Sequence, residues 1–161
     1  MPRPKEDFPP LLPQGEHLMT VVAIRAICVD DFPLSKTRPE IMDGFERIHA
    51  DLIGLKIPCD IVFDGSFLTK EIDPDDVDFT IVVTPEFFES CLPEQLRYLE
   101  WIRDDFTIKQ THLCDCHLCV EYPPSSAEYF DGYQNRSFWV NFYAKSIIYQ
   151  RVRGIAIIRV A

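Results

Sequence analysis

Long apolar runs are missing from this chain: nothing approaches the ~18 uninterrupted apolar residues that a membrane helix needs. Met1 to Gln14 carry no apolar core and no small-residue cleavage site. No secretory leader is therefore expected, and the cytoplasm is the expected compartment. Internal repeats are missing as well. Acid is missing from one end: Gly132 to Ala161 has no Asp or Glu but five basic residues, Arg136, Lys145, Arg151, Arg153 and Arg159. The first 131 residues hold 11 basic against 26 acidic side chains, a net of −15. Such an acidic body repels a phosphate backbone, which argues against extended nucleic acid as a partner. The basic end either meets one small polyphosphate or neutralises the body.

What is present fits one soluble domain. The chain has 161 residues, 47% of them hydrophobic and 26% charged. That composition excludes a disordered tail, a collagen-like fibre and a coiled-coil rod. Six cysteines stand at 28, 59, 91, 114, 116 and 119. In a chain of this length with a full set of core residues they are expected to be reduced and mostly buried.

Residues 1–16 are Pro-rich and read as an extended arm, with Leu11 and Leu12 laid against the body; residues 17–161 read as a single domain. Leu18 to Val29 is continuously apolar and is assigned to a short helix. Within Ser35 to Leu55, Ile41, Phe45, Ile48 and Leu52 recur at helical spacing after Pro39 and Glu40, which suit a first turn. Cys59 to Asp64 and Val77 to Val83 read as buried strands. Helices are expected from Thr84-Pro85-Glu86 and from Leu92-Pro93-Glu94, the latter carrying Leu96, Leu99, Ile102 and Phe106. Thr107 to Tyr122 is read as a third strand, Phe138 to Tyr143 as a helix and Ile155 to Val160 as a last strand. Strands and helices mix without strict alternation, so an α+β fold with a mixed sheet flanked by helices is expected.

One stretch carries chemistry. A buried strand ends at Gly65-Ser66, where a glycine lets backbone approach a ligand and a hydroxyl can hold phosphate oxygens. Ten residues after Ser66 the chain returns as Asp76-Val77-Asp78 leading into an apolar strand. Strand side chains alternate, so Asp76 and Asp78 share a face. Paired carboxylates facing a phosphate-holding turn make a Mg²⁺ site that keeps phosphates and waters as its other ligands.

Gly-Ser, this spacer and Asp-x-Asp before an apolar strand resemble the signature of the nucleotidyltransferase superfamily related to DNA polymerase β, in its minimal single-domain form. Leu12-Pro13-Gln14-Gly15, Asp64 to Thr69, Phe138-Trp139 and Arg153-Gly154-Ile155 resemble further segments of an uncharacterised bacterial group in it. The resemblance implies a minimal nucleotidyltransferase fold, with Mg²⁺ or Mn²⁺ as cofactor and an NTP as substrate. It also implies a third carboxylate on a later strand, for which Asp115 is best placed and Glu121 is the fallback. Asp76, Asp78 and Asp115 are then the catalytic and metal-holding residues, and Gly65, Ser66, Lys70 and Arg153 bind nucleotide, with Arg151 a further candidate cation. The expected reaction moves an NMP to a hydroxyl of a protein or small-molecule acceptor. Minimal members also resemble toxin–antitoxin and anti-phage components, so the alternative is a catalytically silent subunit acting on an operon-encoded protein partner.

A rival cluster is His112, Cys114, Cys116, His117 and Cys119. Its C-x-C-H-x-C spacing matches no standard zinc knuckle, and buried core thiols are the preferred reading. Phe138, Trp139, Phe142 and Tyr143 are read as core before they are read as a base-stacking surface.

Overall fold

The computed structural model describes residues 6–129, 136–144 and 153–161. Among these the elements run β1 (Gly15–Leu18), α1 (Val21–Arg25), a π-helical turn (Ala26–Asp30), α2 (Arg38–Gly54), β2 (Cys59–Asp64), a 3-10 turn (Ser66–Leu68), β3 (Val77–Val83), α3 (Pro85–Ser90), α4 (Pro93–Ile102), α5 (Asp105–His112), β4 (Cys114–Val120), α6 (Arg136–Tyr143) and β5 (Gly154–Val160). The strands form one mixed sheet in the order β1-β5-β2-β3-β4. β2 is antiparallel to both β3 and β5, while β1–β5 and β3–β4 are parallel pairs. The architecture is α+β.

Local chemistry explains most boundaries. Proline stands in the first turn of α2, α3 and α4, where its missing N–H costs nothing. Thr84 caps α3 by accepting the Phe87 N–H at 3.2 Å. The Gln95 side chain caps α4 by accepting the Leu92 N–H at 2.8 Å. Burial then sorts the two faces of the sheet. On one face Ile41, Phe45, Ile48 and Leu52 of α2 pack on Ile61, Phe63, Phe79 and Ile81. Phe45 meets Phe63 and Phe79 edge-on at 4.8 and 5.2 Å. On the other face Trp139 and Tyr143 of α6 cover Val62, Val82, Cys119, Ile155 and Ile157. Those two aromatics are core; Phe138 and Phe142 of the same helix are exposed.

Three readings of the sequence need correction. Thr107 to Tyr122 is not one strand: Asp105–His112 is helix α5, closed by Leu113 in the left-handed region (φ 55°), and the strand starts at Cys114. The β-branched Thr107, Ile108 and Thr111 favour a strand locally, but Ile108 is fully buried in the main core, and that packing overrides propensity. The apolar stripe of α4 stops at Ile102, and Phe106 is 72% exposed. Gly15–Leu18, divided between arm and helix from sequence, is a short strand because it adds to the free edge of β5. The arm beyond it does lie on the body. The Leu11 N–H donates to the Leu68 carbonyl at 2.9 Å and the Lys70 N–H to the Pro9 carbonyl at 2.9 Å.

Candidate functional site

The sheet register brings the acids together. Asp64 at the end of β2 stands opposite Asp78 on β3, and Asp78 stands opposite Asp115 on β4. Directly paired residues project to the same side of a sheet. Three carboxylates thus form a row across three adjacent strands, on the face that α6 covers. The opposite face at the same level carries the apolar row Phe63, Phe79 and Cys116. Asp76 enters β3 two residues before Asp78 and is 8% exposed.

Gly65 is required by this arrangement. Its φ is +91°, and a Cβ there would lie 2.2 Å from Oδ2 of Asp78. Only glycine allows the turn and the carboxylate to occupy adjacent space. Ser66 opens the 3-10 turn that follows. The turn is braced by a hydrogen bond from the Thr69 hydroxyl to the Ser66 carbonyl at 2.6 Å.

Arg38, at the start of α2, holds the rest of this loop and is fully buried. Its five N–H donors are all used: Nη1 to the carbonyls of Cys28 (2.9 Å) and Phe67 (2.7 Å), Nη2 to Thr69 (2.7 Å) and Glu71 (2.6 Å), and Nε to Glu71 (3.1 Å). The Phe32 ring lies 3.9 Å from the guanidinium carbon and the Phe67 ring 5.1 Å. A guanidinium is the one side chain with enough donors, in one plane, to satisfy so many loop carbonyls.

Asp64 is almost fully buried, and neither of its oxygens has a hydrogen-bond partner of good geometry. Burial pushes its carboxyl well above the ordinary carboxylate range, and the Asp78 charge adds to this. The Arg153 charge and the Gly65 N–H pull the other way. Oδ1 of Asp115 is likewise buried without a hydrogen bond. His117 Nε2 approaches it at 3.6 Å, too far for such a bond, and the His117 ring stacks on Trp139 at 4.4 Å. Thr80, in the next row on the same face, shares a 3.1 Å hydrogen bond with the buried Tyr143 hydroxyl. Burial raises the Tyr143 pKa, with the charges of Asp78 and Asp115 adding to it.

Two cations meet the site. Lys109 of α5 places Nζ 2.8 Å from Oδ2 of Asp76. That hydrogen bond, then the charges of Asp76, Asp115 and Asp78, raises the Lys109 pKa. Arg153, just before β5, pairs at 3.0 Å with the buried Asp7 of the arm. Lys70 is exposed beyond the turn, and Lys109 is in ion-pair contact with Asp76. Arg151 and Lys145 lie outside the described residues. Gly65, Ser66, Asp76, Asp78, Asp115 and Arg153 therefore all stand at one end of the sheet. Glu121 follows β4 at the opposite end.

Among the described residues, no three His, Cys, Asp or Glu side chains already converge as a metal centre. The row is an acid face and not a preformed cage. Its donors are nonetheless hard carboxylate oxygens, some of them buried without partners, which suits Mg²⁺ or Mn²⁺ better than a softer ion. In the cysteine-rich strand Cys114 and Cys116 sit in the main core and Cys119 under α6, all buried and in no disulfide. Burial holds the Cys119 thiol up at about 12. His112 belongs to α5 and lies edge-on to Trp101.

Arg38 and Lys109 were not singled out from sequence, and Asp64 only as the first residue of the Asp64 to Thr69 turn, with no site role. Asp64 needs the strand register to be placed. Arg38 had a signal, since a cation at a helix start opposes the helix dipole and asks for a local reason. Lys109 was hidden by the strand reading of its segment.

Fold and site together define an α+β protein with an acid face at one end of a mixed sheet, beside a glycine turn. The chain belongs to a family of unknown function, DUF6932, whose model matches residues 4–159. No curated protein and no solved structure matches it.

Proposed function

We propose that this protein is a metal-dependent nucleotidyltransferase that moves an NMP from an NTP to a hydroxyl of a protein or small-molecule acceptor. The observation that carries the reading is the register of Asp64, Asp78 and Asp115 beside Gly65-Ser66, with Asp76 at the same end. Asp76, Asp78 and Asp115 would hold Mg²⁺ or Mn²⁺, which when bound supplies charge neutralisation on the phosphoryl oxygens. The chain's own residues do the rest. Gly65 lets the triphosphate approach the backbone, and the Ser66 hydroxyl donates to a phosphate oxygen. Arg153 offers a charge at the same end once Asp7 yields it. Asp115 orients the acceptor hydroxyl and takes its proton as the new P–O bond forms at the α-phosphorus. The bond to pyrophosphate then breaks.

The second reading is a catalytically silent subunit acting by protein binding. Two internal ion pairs favour it, since Lys109–Asp76 and Arg153–Asp7 already occupy groups a substrate needs.

Incubation with each NTP, Mg²⁺ or Mn²⁺ and cell lysate, followed by mass spectrometry for nucleotide adducts, separates the two. The transferase reading expects adducts from wild type and a loss of about 10²–10⁴ in rate for Asp115→Asn with NTP binding largely kept. No adduct from wild type with any nucleotide supports the silent reading. Full activity in the Asn variant removes Asp115 from its role.

A further inference from the structure

Lys109 sits where it does because the backbone leaves it little choice. It lies in the last turn of α5. Leu113, left-handed at φ 55°, then reverses the chain into β4. The Leu113 carbonyl accepts the Val77 N–H at 3.1 Å, which ties this corner to the start of β3 between Asp76 and Asp78. The end of α5 is thereby held beside the acid face. Gly44 of α2 permits the close crossing, because a Cβ there would meet the His112 carbonyl oxygen at 2.0 Å.

The two partners of the ion pair differ in freedom. The Asp76 side chain is 11% exposed and fixed at the strand entrance, whereas the Lys109 side chain is 53% exposed on a four-carbon stem. The lysine can swing away without disturbing the core; the aspartate cannot. An ammonium is a compact point charge with three donors. It occupies Oδ2 of Asp76, one of the two oxygens by which that carboxylate would hold a divalent ion. The acids around it, Asp78 and Asp115, would otherwise repel one another and Asp76. The Asp64 carboxyl, buried on the same face opposite Asp78 without a hydrogen bond of good geometry, adds to the crowding of acids there.

We propose that Lys109 is the resident counter-cation of the acid face, holding Asp76 in the ligand-free protein and competing there with a divalent cation. The proposal rests on the metal-binding half of the reading above. It makes Lys109 a positioning residue that sets metal affinity, and it gives the ion pair a role that a stability function alone does not.

Mn²⁺ binding without nucleotide, followed through the electron paramagnetic resonance signal of free Mn²⁺, tests it on wild type, Lys109→Met and Lys109→Arg. Removing one positive charge at contact distance is expected to tighten Mn²⁺ binding by about tenfold in the Met variant. The Arg variant, which keeps the charge, is expected to stay near wild type. Binding seen in Lys109→Met and not in wild type supports the proposal most directly. Equal affinity in wild type and Lys109→Met overturns it and leaves the metal reading standing, whatever the melting temperatures do. Absence of Mn²⁺ binding in both forms overturns the proposal and the metal reading together.

Discussion

Asp64 ends β2 after the apolar run Ile61 to Phe63, and its side chain is buried at the turn. Its two oxygens lack a hydrogen bond of good geometry, and burial raises its pKa well above the ordinary value of 3.8. Folded protein therefore holds the Asp64 proton more tightly than unfolded protein does. Its stability contribution is complete below the ordinary value and is lost as pH rises toward the folded pKa. Asp64→Asn keeps the shape but cannot ionise. The Asn variant is expected to melt above wild type at pH 7, by about 2–4 °C for each kcal/mol relieved, with the gap closing toward pH 4. Thermal melts across that range check this. A gap independent of pH would mean that ionisation of Asp64 is not the cause.

At the scale of elements, the loop from Ser66 to Glu71 is the part of the site with the least regular structure and the most specific support. Three of its carbonyls, with that of Cys28, converge on Arg38. Buried carbonyls left without donors cost about 1–3 kcal/mol each. Arg38→Met is accordingly expected to lower stability by at least about 3 kcal/mol in urea unfolding. Arg38→Lys, with fewer donors and no plane, should restore only part of that. Hydrogen exchange should localise the loss in the lysine variant to residues 66–71, with β2 and β3 still protected. Uniform loss of protection would show that Arg38 serves the whole core and not this loop. The α6 helix supports the site differently, through Tyr143 on Thr80 and Trp139 on His117.

The whole molecule is acidic, and the described arginines of its basic end are spent internally. Arg136 and Arg159 both reach Asp60, at 2.8 and 3.0 Å, and Arg153 reaches Asp7 across most of the chain length. The last of these fastens the N-terminal arm over the glycine turn. Because the Asp7 side chain is 2% exposed and Arg153 17%, the pair is poorly screened. Asp7→Asn leaves a shielded guanidinium without its carboxylate, at an expected cost of about 1–3 kcal/mol. A lowered urea midpoint with an unchanged slope would confirm a local loss. An unchanged midpoint would show that Asp64, whose carboxyl already feels the Arg153 charge, takes that charge over.

Much of this was legible in the residues themselves. The α2 stripe, the apolar runs of β2 and β3 and the proline-led starts of α3 and α4 follow from periodicity and local sterics, which act over a few residues. Period two predicts one side for Asp76 and Asp78, and the structure sets Asp76 just before β3 at the same end of the sheet; a Gly-Ser turn between strands announces a close approach. Other features depend on contacts between residues far apart in the chain. That Asp64 and Asp115 join Asp78 in one row was decided by strand register. That Thr107 to His112 coil into a helix was decided by the burial of Ile108. That Lys109 meets Asp76 was decided by the corner at Leu113. Side-chain period and turn chemistry are properties of a segment; register, burial and charge pairing belong to the packed chain, and these placed the cations.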